Sequence, residues 1–418
     1  MDALHESIHA LLRFGEQFLQ AGSTAYRTRE AMLHLAPALG IDSLHMKMDL
    51  RCLVATARRG EERVTLVREI GAPGVDSREL KKLQHFVLHT PPHLDAATVH
   101  GFLDRVSSAR RLHGPLLISL TTGAACGAFA FLNGGGATEI SAAALAAAVG
   151  QGLRSLLHRR HLSPYAIYTL CGLAASGLYV VLAQLLVLLG VDSQTRHSAG
   201  FVSAVLFLVP GFPMVSAALD LLRQETNIAL ARLVHVLMLL FMAALGLAAV
   251  IALAGITLDT APPPQLSLGA LTGARVLASF VGACGFALLF NESFLDALFV
   301  GLLAIIGNGL RLWLRDGGVS LPLATFLGAL VVGLLVSLLL RRLAEPRITL
   351  TVPAVIMMVP GVYTFETLVR FNEGSVLAAL GTGVQAAFVV VTMGMGLAVS
   401  RFLSEKASRR ERGYTGRG

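Results

Sequence analysis

His5-Glu6-Ser7-Ile8-His9 fits H-E-x-x-H, the helical pattern in which two histidines hold zinc and the glutamate activates a water. Glu30 offers a third ligand on paper. The pattern fixes three identities only, and it begins at residue 5, with no strand ahead of it to floor a cleft. It also lies in a region holding 9 of the 13 histidines, where His85 and His89 repeat the same spacing, followed by His93. A membrane-anchored zinc metallopeptidase is therefore the remote reading, and solvated or pairwise-bonded histidines are the expected one. Cys52, Cys126, Cys171 and Cys284 form no C-x-x-C, so neither a disulfide framework nor a thiolate metal site is indicated. No metal, no cofactor and no enzymatic activity is expected.

A second constellation is of a different kind. Val209-Pro210-Gly211, followed by Phe212-Pro213, and Val359-Pro360-Gly361 each interrupt an apolar segment near its middle. Proline removes one backbone hydrogen bond and clashes with the carbonyl four residues earlier, here Leu206 and Ile356. A non-helical stretch at membrane depth is tolerated only where it is buried in protein or lines a cavity. Half-helices restarting at Gly211 and Gly361 from opposite faces would bring two N-termini, each with free N–H groups and partial positive charge, together near the midplane. That geometry suits a carboxylate-bearing solute; a pair of packing kinks is the plain alternative. Tyr363 and Thr364 stand beside the second break. Glu366 lies six residues past Pro360, and an acid inside an apolar helix is costly and functional by default, which makes it the candidate proton carrier. Asp220, ten residues past Pro210, is the second such candidate, with snorkelling to the interface as its alternative. Asn133 and Asn291 occupy matched helix ends, where an asparagine either binds substrate or caps the helix. Arg275 pairs with an acid, meets a substrate carboxylate, or reaches the interface.

The elements that must hold these residues follow from composition. The 418 residues are 54% hydrophobic and 14% charged, with 42 Gly, against roughly 25% charged in ordinary globular chains. A soluble multidomain enzyme and a disordered chain are both excluded. Residues 1–114 carry 28 of the charged side chains. From Pro115 onward, ten segments are long and apolar enough to cross a bilayer: 115–133, 138–157, 165–190, 198–221, 229–256, 268–290, 294–314, 320–340, 348–370 and 375–402. With the N-terminal region cytosolic, 14 Lys/Arg fall on the inner side, including Arg154, Arg159, Arg341, Arg342, Arg347 and the tail. Only Arg196, Arg311, Arg315 and Arg370 fall outside, so both termini are placed in the cytosol. The net charge of +8 thus needs no nucleic-acid partner.

Three blocks recur in order. GAACGAFAFLN at 123–133 resembles VGACGFALLFN at 281–291, GQGLRSLL at 150–157 matches GNGLRLWL at 307–314, and FLVPGFPMVSAALDLL at 207–222 resembles MMVPGVYTFETLVRFN at 357–372. Five helices per copy is an odd number, so the second copy enters from the opposite face. The expected fold is a multi-pass α-helical membrane protein of about ten transmembrane helices in two inverted five-helix repeats, an architecture common among secondary transporters.

The polar region reads as a small α/β domain. An amphipathic helix spans 3–19 and a second runs from the Gly22-Ser23-Thr24 turn through Leu39. Strands at 51–58 and 62–68 flank a Gly60-Glu61 turn, and helices near 76–90 and 95–111 lead to the membrane. No secretory signal opens the chain. The organisation expected is a cytosolic domain at 1–114, a first repeat at 115–256, an extracytoplasmic linker at 257–267, a second repeat at 268–402 and a basic cytosolic tail at 403–418.

AGSTAYRTREAM at 21–32, the GQGL segment, the Val-Pro-Gly helix ending in Asp220 and a second apolar half with its own Val-Pro-Gly together resemble the threonine/serine exporter family over nearly the whole chain. The resemblance implies export of L-threonine and L-serine driven by the proton-motive force. Some such relatives divide the two halves between two chains, which fits the boundary near 257–267. The expectation is thus a proton-coupled secondary exporter of small amino acids in the bacterial inner membrane, with a small dicarboxylate such as succinate as the alternative cargo. Its partners are the small-molecule substrate, protons and membrane lipids, and a homo-oligomer is compatible with this plan.

Overall fold

The computed structural model describes residues 3–190, 198–255, 266–340, 347–372 and 374–404. Arg196, Asp259, Arg341, Arg342, most of the expected 257–267 linker and the tail from 405 onward lie outside them. The N-terminal region begins with α1 (Ala3–Gln20), whose apolar face buries Leu4, Ile8, Leu11, Phe14 and Phe18. Next comes α2 (Ala25–Leu35), then an antiparallel meander of β1 (Ser43–Met48), β2 (Cys52–Arg59) and β3 (Glu62–Glu69), and finally α3 (Ser77–Leu88) and α4 (Ala96–Ser107). β1 was not expected. Ser-Leu-His-Met-Lys-Met alternates, but it has no β-branched or aromatic residue to mark it, and pairing with β2 supplies what local propensity lacks.

The membrane block opens with α5 (Pro115–Leu132), α6 (Ala137–Arg159) and α7 (Pro164–Leu188). It continues through α8 (Ser198–Ala204), a 3-10 turn at Leu206–Leu208, α9 (Gly211–Leu222) and α10 (Thr226–Ala254). The same order follows in α11 (Leu268–Leu289), α12 (Phe294–Asp316) and α13 (Leu321–Leu340). Then come α14 (Arg347–Val355), a 3-10 turn at Ile356–Met358, α15 (Gly361–Asn372) and α16 (Val376–Ser404). Among the described residues, eight helices are long and apolar enough to span a membrane. The count is nine when Arg347–Met358 and Gly361–Phe371, bent by 55° at the break, form one span. The expected segment 198–221 is not one span: Pro210 and the turn before it divide it into a seven-residue and a twelve-residue helix.

Small residues set the closest helix approaches. A Cβ at Gly246 would lie 2.5 Å from the backbone nitrogen of Leu173, so α7 and α10 touch backbone to backbone.

The polar domain is tied to both halves of the block. Toward the first half, Arg29 makes a two-pronged ion pair with Glu225, at 2.6 and 3.1 Å. Toward the second, the Ser77 N–H donates to the Phe290 carbonyl, and Lys81 bridges Glu292 at 2.8 Å and Asp296 at 2.7 Å. α5 therefore leaves from the domain, while α11 returns to it.

Glu292 sits in the turn between α11 and α12 at 1% exposure, and burial, only partly offset by Lys81, pushes its carboxyl up to about 7 from an ordinary 4.5. A carboxyl raised on folding binds its proton more tightly in the native state, so it subtracts stability above about 7, and that loss is recovered as pH falls toward the ordinary value. Glu292→Gln should therefore unfold at a higher temperature than the wild type in alkaline buffer, with the difference closing in acid. Thermal melts across this range check it, and a constant difference at every pH would show that Glu292 does not titrate there.

Candidate functional site

The two breaks meet. At the first, the Gly211 N–H turns back to the Val209 carbonyl at 2.8 Å, and α9 starts with Met214 N–H on the Pro210 carbonyl at 3.0 Å. The second repeats this pattern with Gly361 to Val359 at 2.8 Å and Thr364 to Pro360 at 3.0 Å. A Cβ at Gly211 would fall 3.0 Å from Ile356 Cδ1, and one at Gly361 would collide with Leu206 Cδ1. Each glycine thus faces the turn that precedes the other break. α9 runs from this crossing toward the polar domain, where Asp220 touches it, and α15 runs away to meet the start of α16 through Thr367 and Thr382, 2.9 Å apart.

The crossing is not an open midplane site. The gap there is about 10 Å³, lined by Phe129, Leu206, Val209, Phe286, Ile356 and Val359. Apolar side chains fill the crossing itself, so the two half-helix starts do not share an open gap in this arrangement.

The open space lies beside it, between the first break and the polar domain. It is a cavity of about 580 Å³ that reaches Val209, Pro210, Gly211 and Pro213, within the roughly 300–1,000 Å³ range of small-molecule sites. Its walls carry Arg111, Arg154, Arg159, His113, His158 and His235, and among the described residues no Asp or Glu lines it. Arg154 projects from the last turns of α6, donates Nη1 to the Phe207 carbonyl at 3.1 Å and lies 5.6 Å from the centroid of the Tyr168 ring. The cation is thereby held against the turn that precedes Pro210. Walls of this kind match an anion chemically, by charge and by the fork geometry of arginine.

Two family models match this chain: "Putative threonine/serine exporter" over residues 9–254 and "Threonine/Serine exporter, ThrE" over residues 275–403. The chain belongs to the threonine/serine exporter family. It is a membrane exporter and not an enzyme. Among curated proteins, the "Probable succinate transporter subunit YjjP" of Escherichia coli (strain K12) is 30% identical over 222 residues, which cover 53% of this chain and 84% of that protein. Its Klebsiella aerogenes namesake is 28% identical over 221 residues, 51% of this chain and 81% of that protein. No solved structure matches this exporter.

The other expected site residues are placed as follows. Asp220 is fully buried and accepts from the Ala25 and Tyr26 N–H groups at 2.8 and 3.4 Å, while Arg232 Nη1 lies 2.8 Å from its second oxygen. Thr24 makes no side-chain cap for α2, so Asp220 caps that helix from another part of the chain. This is the contact that the AGSTAYR stretch makes. Asn133 caps α5 through Nδ2 on the Phe129 carbonyl at 2.7 Å, away from the cavity. Asn291 spends its amide on Asp76 at 2.8 and 2.9 Å and on the Leu112 N–H at 2.9 Å. Both asparagines use these groups within the protein, and neither lines the cavity. Thr364 bonds back to the Pro360 carbonyl at 2.9 Å. Glu366 is partly exposed, with Arg370 3.9 Å away. Arg275 pairs with Asp316.

At the N-terminus, His9 faces His100 with nitrogens 3.4 Å apart, and burial together with Arg68 holds its imidazole below the ordinary value. Among the described residues no group of three His, Cys, Asp or Glu could hold a metal. His5→Ala combined with His9→Ala should leave transport within about twofold of wild type, as surface substitutions do. Loss of transport that zinc restores to the wild type after chelation would contradict this.

Sequence reasoning missed two features. The topology rule alone gives Arg154 no contact beyond the interface, although its place in GQGLR, matched by Arg311 in GNGLR, marks it at equivalent points of both halves. Glu139 was passed over altogether. It is a buried acid in the first turn of α6, accepting from Gly136 and Gly200 N–H groups at 3.0 Å each. An acid inside an apolar run is the signal that would have found it.

Proposed function

We propose that this chain exports a small dianionic carboxylate of the succinate kind, in two inverted halves that alternate access around the crossed Pro210 and Pro360 breaks. The observation that carries the substrate reading is the acid-free cavity with its three arginines and three histidines. A dicarboxylate satisfies such walls at both ends. Threonine or serine would need an acid or carbonyl oxygens for its ammonium group, and among the described residues no acid lines this chamber. The second reading, threonine and serine, is favoured by the family to which both halves belong. The relatives named as succinate transporter subunits support the first.

The matched element order, the opposite directions of α5 and α11, and the opposite directions of α9 and α15 support an inverted repeat. In this reading 1–114 is a cytosolic domain, 115–256 and 268–402 are the two halves joined outside by 257–267, and 403–418 returns to the cytosol of a bacterium's inner membrane. One chain then carries both parts, and a homo-oligomer is not required for a complete path. Pro210, Gly211, Pro360 and Gly361 form the hinge that opens the crossing, with Tyr363 and Thr364 on the outer path. Glu366, partly exposed and paired only at 3.9 Å, takes the role of proton carrier. Asp220, held by three donors, is assigned to anchoring the domain.

Glu366→Gln tests the coupling. The variant keeps size and hydrogen bonding but fixes the neutral state, so exchange between equal compartments should continue while accumulation driven by a proton gradient is lost. Gradient-driven transport at the wild-type rate would exclude Glu366 as the carrier.

A further inference from the structure

Arg311 is the second-half counterpart of Arg154, five residues before the end of α12 as Arg154 is five residues before the end of α6. α12 starts at the turn that touches the polar domain, so Arg311 lies toward the far face. Its Nη1 donates to Asn308 Oδ1 at 2.9 Å, and Asn308, fully buried, donates in turn to Ser279 Oγ at 2.9 Å. Asn308 stands where Gln151 stands in the first half. The Arg311 Nε is buried without a hydrogen-bond partner among the described residues, and no acid there forms an ion pair with this guanidinium.

A guanidinium inside an apolar helix, oriented by a buried amide and left with an unused N–H, is costly without an anion to complete it. Glu366, in the half-helix after the second break, has Arg370 3.9 Å away.

We propose that Arg311, positioned by Asn308, is a far-face subsite for the substrate carboxylate. The carboxylate passes from Arg154 to Arg311 when the crossing opens. This rests on the carboxylate-export reading and adds where the anion is held before release.

The test uses full-length protein in right-side-out and inside-out membrane vesicles, with labelled succinate supplied at one face at a time. Arg311→Gln should raise the half-saturation concentration at the far face by roughly tenfold to a hundredfold, the scale of one lost charged hydrogen bond. At the domain face it should stay within about twofold. Arg154→Gln should show the reverse. If the Gln variant fails to insert, Arg311→Lys keeps the charge without the fork and should still raise the far-face value, by less. Equal changes at both faces, or an unchanged far-face value in the inserted variant, would overturn the subsite. A wild type that carries no succinate from either face would overturn the carboxylate reading along with it.

Discussion

Arg154→Gln should raise the half-saturation concentration for succinate by roughly tenfold to a hundredfold, because a hydrogen bond to a charged partner contributes about 1.5–3 kcal/mol. Arg154 is the cavity cation that is anchored on two sides, by the Phe207 carbonyl at 3.1 Å and the Tyr168 ring. Its guanidinium therefore needs little reorganisation to meet an anion. Arg154→Lys should recover part of the loss, since charge is kept and the fork is not. Kinetics of labelled efflux at several substrate concentrations check both variants. An unchanged half-saturation with a lowered maximal rate would mean that Arg154 holds the turn before Pro210 and does not touch the substrate.

Asp220→Ala should cost about 3–5 kcal/mol of stability, the scale seen when one partner of a buried ion pair is removed. Arg232 is 7% exposed and, among the described residues, would keep only the Ser23 carbonyl, at 2.8 Å, as partner for its charge. The first N–H groups of α2 would also lose the acceptor that caps them. Asp220→Asn keeps one acceptor oxygen and should cost less. Removing both charges, as Asp220→Ala with Arg232→Leu, should recover part of the loss. Unfolding of the purified protein in detergent, followed by tryptophan-independent probes such as labelled Cys52, measures this. A change below about 1 kcal/mol for Asp220→Ala, the range of exposed pairs, would show that the network is not a buried strut.

The membrane block was legible because its signals are local. Apolar runs mark the spans, Pro210 and Pro360 mark the breaks, and the blocks shared by the two halves mark matched elements. The crossing itself also follows from those matched breaks, but its filling does not. Whether Phe129, Leu206 and Ile356 close the gap depends on how helices pack across about 150 positions of sequence. Asp220 shows the same limit more sharply. An acid near the end of an apolar helix reads equally as proton carrier, snorkelling residue or strut, and its partner Ala25 lies 195 positions away. Arg154 hides its second contact for a related reason: a cation near a helix end satisfies the topology rule so well that its bond to the Phe207 carbonyl is not anticipated. β1 escaped because its six residues lack strand-forming side chains and depend on β2 for their conformation.

Flux by the purified full-length protein in proteoliposomes tests the account most directly. Vesicles loaded in parallel with labelled succinate, threonine or serine are followed with and without an imposed pH gradient. The acid-free, arginine-lined cavity predicts that succinate is carried, that the gradient accelerates it, and that threonine and serine are carried more slowly or not at all. Rapid gradient-driven flux of threonine and serine with no movement of succinate would contradict it.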